Sequence, residues 1–370
     1  MPDINFLFNC WLKDPENENI FSDILRTLLS ERKFEDVLVV FADASAYLQN
    51  KFFFSKIDAL LSLKRYSEAS VEIDKLSDNS SLKSYYSAVL LYLGGQAESA
   101  MNALNKAAEQ AQLEDKGHLL KARLHYIKSE MKPALSCLEK ISDSSRDAEY
   151  FGLSALLALD LGNIKLAKSS AEKSLKLSQN QFDALLALAS IFVSELELSQ
   201  ASVIIEKCLT LQPKSGRSWS VKGQVSLFNR LYDIAEQDFR SALIYMPDHI
   251  GTWHLLAWNY YLLGRLDQAE EAFKHALALD NAFGESYGGL AVIAAVKGRI
   301  DECNHYIKLA FKLNKRSFSA EYAKALVEQS EGNTNGAENR VKGLLAQSSH
   351  LSDFTYAQLV ARVVESVGND

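Results

Sequence analysis

Proline is scarce in this sequence, with 5 among 370 residues, and its 17 glycines are dispersed rather than gathered into a linker. That excludes several domains strung on flexible connections, so one continuous architecture is expected. The 4 cysteines, Cys10, Cys137, Cys208 and Cys303, lie far apart. With no Cys-x-x-Cys pair and no histidine at zinc-ligand spacing, they exclude a structural zinc site and read as reduced, buried thiols. An excess of cations is also missing: 40 Lys and Arg face 47 Asp and Glu, a formal net charge of -7. With no long basic run, nucleic acid is not the expected partner. No window approaches the roughly 18 consecutive apolar residues of a membrane span. The amino terminus reaches its first cation only at Lys13, and its apolar stretch from Ile4 to Leu12 is short and broken by Asn5 and Asn9. It does not have the pattern of a secretory signal, and a cytoplasmic location is expected.

Catalytic signatures are missing too. There is no Gly-x-Ser-x-Gly, no phosphate-cradling loop before a Lys and no dinucleotide fingerprint. His118, His125, His249, His254, His275, His305 and His350 are scattered, without a His-Glu-x-x-His arrangement. His118 and His125 share a helix face at a spacing of two turns, but no third ligand accompanies them. Neither a metal nor a cofactor is expected, and an enzyme is not the expected class.

What the chain has is periodicity. Hydrophobic residues at 48% against 24% charged residues describe a chain that buries most of its length, and they recur with a period of 34. The clearest unit, IGTWHLLAWNYYLLGRLDQAEEAFKHALALDN from Ile250, carries Trp253, Leu256, Ala257, Tyr260, Gly264, Ala269, Phe273 and Ala276. The unit before it, from Gly216, has Trp219, Gly223, Ala235, Phe239, Ala242 and Pro247. The unit after it, from Gly284, has Tyr287, Leu290, Ala291, Gly298, Cys303 and Ala310. This pattern closely resembles the tetratricopeptide repeat, a helix-turn-helix unit. Further units begin at Phe182, Ala148 and Phe318, and more loosely spaced ones at about Asp115, Ser81, Asn50 and Glu18, about ten in all.

The resemblance implies an all-α fold: a right-handed superhelical solenoid of antiparallel helix pairs. The sequence divides into divergent units over 1–147, regular units over 148–350, and a capping helix and tail over 351–370. A cap is needed because each repeat buries its apolar face only against its neighbour. Small residues such as Ala257, Ala269 and Ala276 let paired helices approach, while Trp253, Tyr260 and Phe273 fill the space between units. Glycine at the Gly264 position supplies the turn. Cys208 and Cys303 occupy small-residue positions and read as packing residues.

In proteins with this repeat, the first helix of each unit lines a concave binding wall. The corresponding offsets here give a candidate partner-binding groove of Leu186, Gln224, Phe228, His254, Leu255, Trp258, Tyr261, Leu262, Val292 and Tyr322, with Ser190, Ser220, Gly288 and Gly289 on the same wall. Trp258 stands out because Trp253 and Tyr260 already fill the packing positions of its unit. Gly288 and Gly289, mid-helix, suggest close backbone approach by a ligand strand or an adjacent helix. The Lys and Asn of the co-chaperone carboxylate clamp are replaced by His254 and Trp258, by Ser220 and Gln224, and by Gly288 and Val292, so that clamp is absent. The expected function is a non-enzymatic scaffold or adaptor that binds a protein or peptide partner in the groove. A chaperone shielding an apolar client segment and a regulatory or assembly subunit of an enzyme complex are the alternatives, with self-association through the open ends of the array as a further partner class.

Overall fold

In the computed structural model the described residues are 3–76, 81–110, 114–347 and 357. Among them the regular structure is entirely helical: twenty-two α-helices and one short 3-10 turn, with no strand. The chain forms two compact units, Met1–Ser145 and Arg146–Asp370. The capping helix expected over 351–370 lies, apart from residue 357, outside the described residues.

The first unit opens with α1 (Ile4–Lys13), followed by the pair α2 (Glu18–Ser30) and α3 (Phe34–Asp43) and the short α4 (Ala46–Lys51). Three more pairs follow: α5 (Phe53–Ser62) with α6 (Tyr66–Asp74), α7 (Ser81–Leu93) with α8 (Ala97–Gln110), and α9 (Asp115–Ile127) with α10 (Met131–Glu139). Its amino-terminal core is built around Phe21, fully buried, with ring centroids 5.6 Å from Trp11 and 5.5 Å from Phe52. The second unit holds six regular pairs. These are α11 (Ala148–Asp160) with α12 (Ile164–Leu177), α13 (Phe182–Ser194) with α14 (Leu198–Leu211), and α15 (Gly216–Phe228) with α16 (Tyr232–Tyr245). Then come α17 (Ile250–Leu262) with α18 (Leu266–Leu279), α19 (Gly284–Val296) with α20 (Ile300–Leu313), and α21 (Phe318–Ser330) with α22 (Thr334–Leu345).

The looser spacing of the early units has a simple cause. The second helices of the regular pairs, α12, α14, α16, α18 and α20, are 14 residues long, whereas α3, α6 and α10 have 10, 9 and 9. After α6 the shortening brings the next pair forward, from Phe53 to Ser81, while α4 after α3 and the 3-10 turn Asp143–Ser145 after α10 make up the missing residues and keep those intervals at 35 and 33.

All ten pairs share one turn geometry, with a single residue at positive φ between the helices. Glycine fills it at Gly95, Gly162, Gly264, Gly298 and Gly332, but Arg32, Lys64, Ser129, Leu196 and Arg230 adopt the same conformation at φ of 58° to 60°. At Gly264 the purpose is visible: its N–H donates to the Tyr261 carbonyl at 3.0 Å, and the Arg265 N–H donates to the Tyr260 carbonyl at 2.9 Å. These are the bonds of a Schellman cap, which satisfy the last carbonyls of α17. Where a side chain replaces glycine, the cap forms at a steric cost.

The large and small residues pack as their offsets imply. Ala257, Ala269 and Ala276 are wholly buried, and so are Cys208 and Cys303. Burial pushes the Cys208 thiol up to about 12 and the Cys303 thiol up to about 11, leaving both protonated and inert. The tryptophan and proline of adjacent repeats are linked by a hydrogen bond. Trp219 Nε1 donates to the Pro213 carbonyl at 2.9 Å and Trp253 Nε1 to the Pro247 carbonyl at 2.7 Å. Each proline ends one second helix and offers its carbonyl to the next unit's indole.

Candidate partner-binding surface

In the second unit each first helix touches the next, α11 to α13 and onward to α21, so the first helices form one continuous wall. What this wall offers a partner depends on how closely its helices approach, and the fifth residue of each first helix sets that approach. At successive junctions this residue meets the start of the following first helix. Thr252 Oγ1 donates to Ser220 Oγ at 3.0 Å, and His254 Nε2 shares a hydrogen bond with Ser286 Oγ at 2.8 Å. At the third junction the residue is Gly288, where an added Cβ would lie 2.6 Å from the Ser319 Cβ. Thr252, Ser286 and Ser220 are all buried. Buried hydroxyls find partners or cost free energy, so these rungs join the helices and are not open to a ligand.

The sequence-derived groove is therefore partly filled by the chain itself. Leu186 is 3% exposed, His254 9% and Val292 0%. None of the three presents a side chain to a partner, which corrects their assignment to an open groove. Burial holds the His254 imidazole down at about 4, with Glu285 opposing the shift weakly, so the ring is neutral at neutral pH. It stands edge-on to Phe273 and Phe283 at 5.3 and 5.1 Å. Gly288 and Gly289 are also explained by packing. Gly288 admits α21, and an added Cβ at Gly289 would lie 2.4 Å from the Phe273 ring. Of the two readings open in the sequence, adjacent helices account for both glycines.

Trp258, Tyr261 and Tyr322 are half-buried and form a cluster. Trp258 meets Tyr261 and Phe273 edge-on at 5.5 and 5.4 Å, and Tyr261 Oη lies 3.1 Å from Tyr322 Oη. Burial raises the Tyr261 phenol further above its ordinary value, with the Tyr322 hydroxyl adding to the effect. Leu255 is half-buried against the same core. Gln224 is half-buried, its Nε2 donating at 3.4 Å to the Ser220 carbonyl.

What remains open lies at the ends of the first helices. Leu262 closes α17 at 51% exposure, and Val296 closes α19 at 44%. Phe228, the last residue of α15, is half-buried. These three recur at intervals of 34, an apolar stripe over three consecutive units. The equivalent last residues of α11, α13 and α21 are Asp160, Ser194 and Ser330, so the stripe is bounded by polar positions. Val296 is absent from the sequence-derived set, although its spacing from Leu262 could have identified it. Among the described residues no group of three or more His, Cys, Asp or Glu is placed to hold a metal ion. No described helix is long and apolar enough to cross a membrane.

Two stretches match family models of the tetratricopeptide repeat, residues 148–181 and residues 251–283. A TPR repeat-containing protein of Methanocaldococcus jannaschii is 24% identical over 232 residues, 60% of this chain and 41% of that protein. The general transcriptional corepressor trfA of Dictyostelium discoideum is 28% identical over 131 residues, 35% of this chain and 9% of its own length. The anaphase-promoting complex subunit 3 of Schizosaccharomyces pombe is 27% identical over 146 residues, 38% of this chain and 21% of its own. The chain thus spans less than half the length of each of these relatives. Among solved structures, a chain of the APC/C hetero-tetramer Cut9-Hcn1 overlays with a TM-score of 0.49 at 15% identity, over 88% of this chain and 78% of that one. PilF of Pseudomonas aeruginosa overlays with a TM-score of 0.44 at 19% identity, over 58% of this chain and 97% of that one.

Proposed function

We propose that this chain, a tetratricopeptide-repeat protein, is a non-catalytic scaffold or complex subunit that takes an apolar segment of a partner protein along the ends of its first helices. The observation that carries this reading is the stripe of Phe228, Leu262 and Val296. Two exposed aliphatic side chains and a half-buried phenylalanine, in register over three units, form a row of anchors, while rungs between the helices occupy the wall at the junctions of α15, α17, α19 and α21. A bound segment would gain affinity from those anchors and register from the polar positions at either end of the stripe. The reading fits a family whose members include a protein named as a complex subunit and one named as a corepressor.

The test compares affinity capture from native extract by three forms of the protein. One is intact, one carries Leu262→Ser with Val296→Ser, and one carries Val203→Ser with Ile244→Ser as a control on second-helix faces, where those residues are 74% and 73% exposed. A protein retained by the intact and control forms but lost by the stripe variant supports the reading. Equal capture by all three moves the functional surface elsewhere.

A further inference from the structure

Contacts in a helix-pair array ordinarily join neighbouring units, since each repeat packs against the next. Among the described residues of the second unit, two hydrogen-bonded contacts skip a pair. Arg217, at the start of α15, grips Asp160, at the end of α11, with Nη1 to Oδ2 at 3.0 Å and Nη2 to Oδ1 at 2.5 Å. These residues are 57 positions apart, with the α13 pair between them in sequence. Tyr261, near the end of α17, meets Tyr322 of α21 through their hydroxyls at 3.1 Å, 61 positions apart, with the α19 pair between.

The two helices straddled in this way are the most buried first helices of the unit. Nine of the thirteen residues of α13 are buried, and nine of thirteen in α19, against seven in α15 and six in α17. Their sequences fit that position: FDALLALASIFVS and GESYGGLAVIAAV are rich in small and aliphatic residues and carry one acidic side chain each, near the start. The first unit has a looser version of the same arrangement. Asp58 of α5 accepts from Tyr86 of α7 at 3.1 Å and lies 4.0 Å from Lys116 of α9.

We propose that the Asp160–Arg217 pair and the Tyr261–Tyr322 contact are latches that hold the first-helix wall closed over α13 and α19, and that each can be released separately. One latch is ionic and the other is not. Arg217 and Asp160 are a third and a quarter exposed as side chains, so salt reaches them. The tyrosine contact is a hydrogen bond between two hydroxyls, with no ion pair for salt to screen. A scaffold built this way has a wall whose accessibility depends on its own long-range contacts, and a partner with an acidic group could open the α13 end by competing for Arg217.

Hydrogen exchange resolved by peptide on the full chain tests this. Arg217→Gln should speed exchange in α13 by roughly two- to fivefold, the range of a partly exposed ion pair, and leave α19 unchanged. Tyr261→Phe keeps the ring and removes only the hydroxyl; it should speed exchange in α19 by about two- to tenfold and spare α13. Raising salt from low to high concentration should reproduce the Arg217→Gln pattern in the unmodified protein. The charge swap, Asp160→Arg with Arg217→Asp, should bring α13 back toward its original protection. If both substitutions loosen α13 and α19 alike, or if neither changes its own helix, the contacts are not latches and the proposal fails.

Discussion

Glycine in the middle of a helix ordinarily weakens it, so replacing it with alanine should stabilise the protein by about 0.5–1 kcal/mol. The packing of α19 predicts the reverse at Gly289. A Cβ built there lies 2.4 to 2.6 Å from three atoms of the Phe273 ring. That ring is fully buried and has little room to retreat, because His254 and Trp258 stand against it at 5.3 and 5.4 Å. Forcing a methyl into such a site costs about 1–3 kcal/mol, enough to outweigh the gain in helix propensity. Gly288→Ala faces the Ser319 Cβ at 2.6 Å and the Ala320 backbone nitrogen at 3.1 Å, and it should be destabilising for the same reason. Gly343 provides the control. It sits in α22, is exposed, and an added Cβ would have nothing within 4 Å. Gly343→Ala should therefore stabilise by about 0.5–1 kcal/mol. The measurement is urea denaturation followed by ellipticity, read as the direction of the midpoint shift, since long repeat arrays do not unfold as a single two-state unit. If Gly289→Ala raises the midpoint as Gly343→Ala does, the close approach of α18 and α19 is not real.

Three further outcomes follow from the same geometry. His254 is held at about 4 when folded against 6.5 for the free side chain, so the unfolded chain binds more protons between those values and acid favours unfolding. Stability contributed by the neutral ring should be present above about pH 6.5 and fall by up to about 3 kcal/mol as pH drops toward 4; denaturation midpoints of His254→Gln across that window should show a correspondingly shallower loss. Glu270 is held down at about 2: burial would raise it, but hydrogen bonds from Arg299, Lys274 and Lys297 prevail. Its contribution should persist above about pH 4.5 and be lost as pH falls toward 2, and Glu270→Gln should flatten that part of a stability–pH curve. Arg230, exposed and at φ 60°, takes the turn position that glycine fills in the neighbouring repeat, and Arg230→Gly should raise the thermal midpoint by an amount corresponding to about 1 kcal/mol or less.

The helix pairs were legible in the sequence because their determinants lie within one repeat. Gly264, Ala257, Ala269 and Phe273 are constrained by their own turn and their own partner helix, so spacing alone reveals them. The turns at Leu196 and Arg230 were hidden, since nothing in a leucine or an arginine announces positive φ; only the fixed offset from the preceding helix marks them. The wall was harder to read for a different reason. Whether the fifth residue of a first helix is open depends on a residue about 32 positions later, in the next unit. His254 read alone faces a groove; read with Ser286, it faces a hydroxyl within bonding distance. Ser220 with Thr252, and Gly288 with Ala320, are the same kind of pair. Small residues at the second member of each pair were the available signal, and a repeat-by-repeat alignment does not weigh them.

This packing also bears on how a partner can be held. The co-chaperone carboxylate clamp places a lysine at the residue that is His254 in this chain. Here that residue is 9% exposed and committed to Ser286, so a cation there would be buried without a counter-charge in contact. The absence of the clamp is thus not a matter of two missing side chains that substitution could restore. The first helices have drawn together over the position it requires, and Val292, at the place of the clamp asparagine one unit later, is fully buried as well. Apolar surface in register then remains where the rungs do not reach, at the ends of α15, α17 and α19. A ligand taken there would be chosen by the spacing of apolar side chains and not by a terminal charge, so internal segments of a partner should bind as well as its carboxyl end.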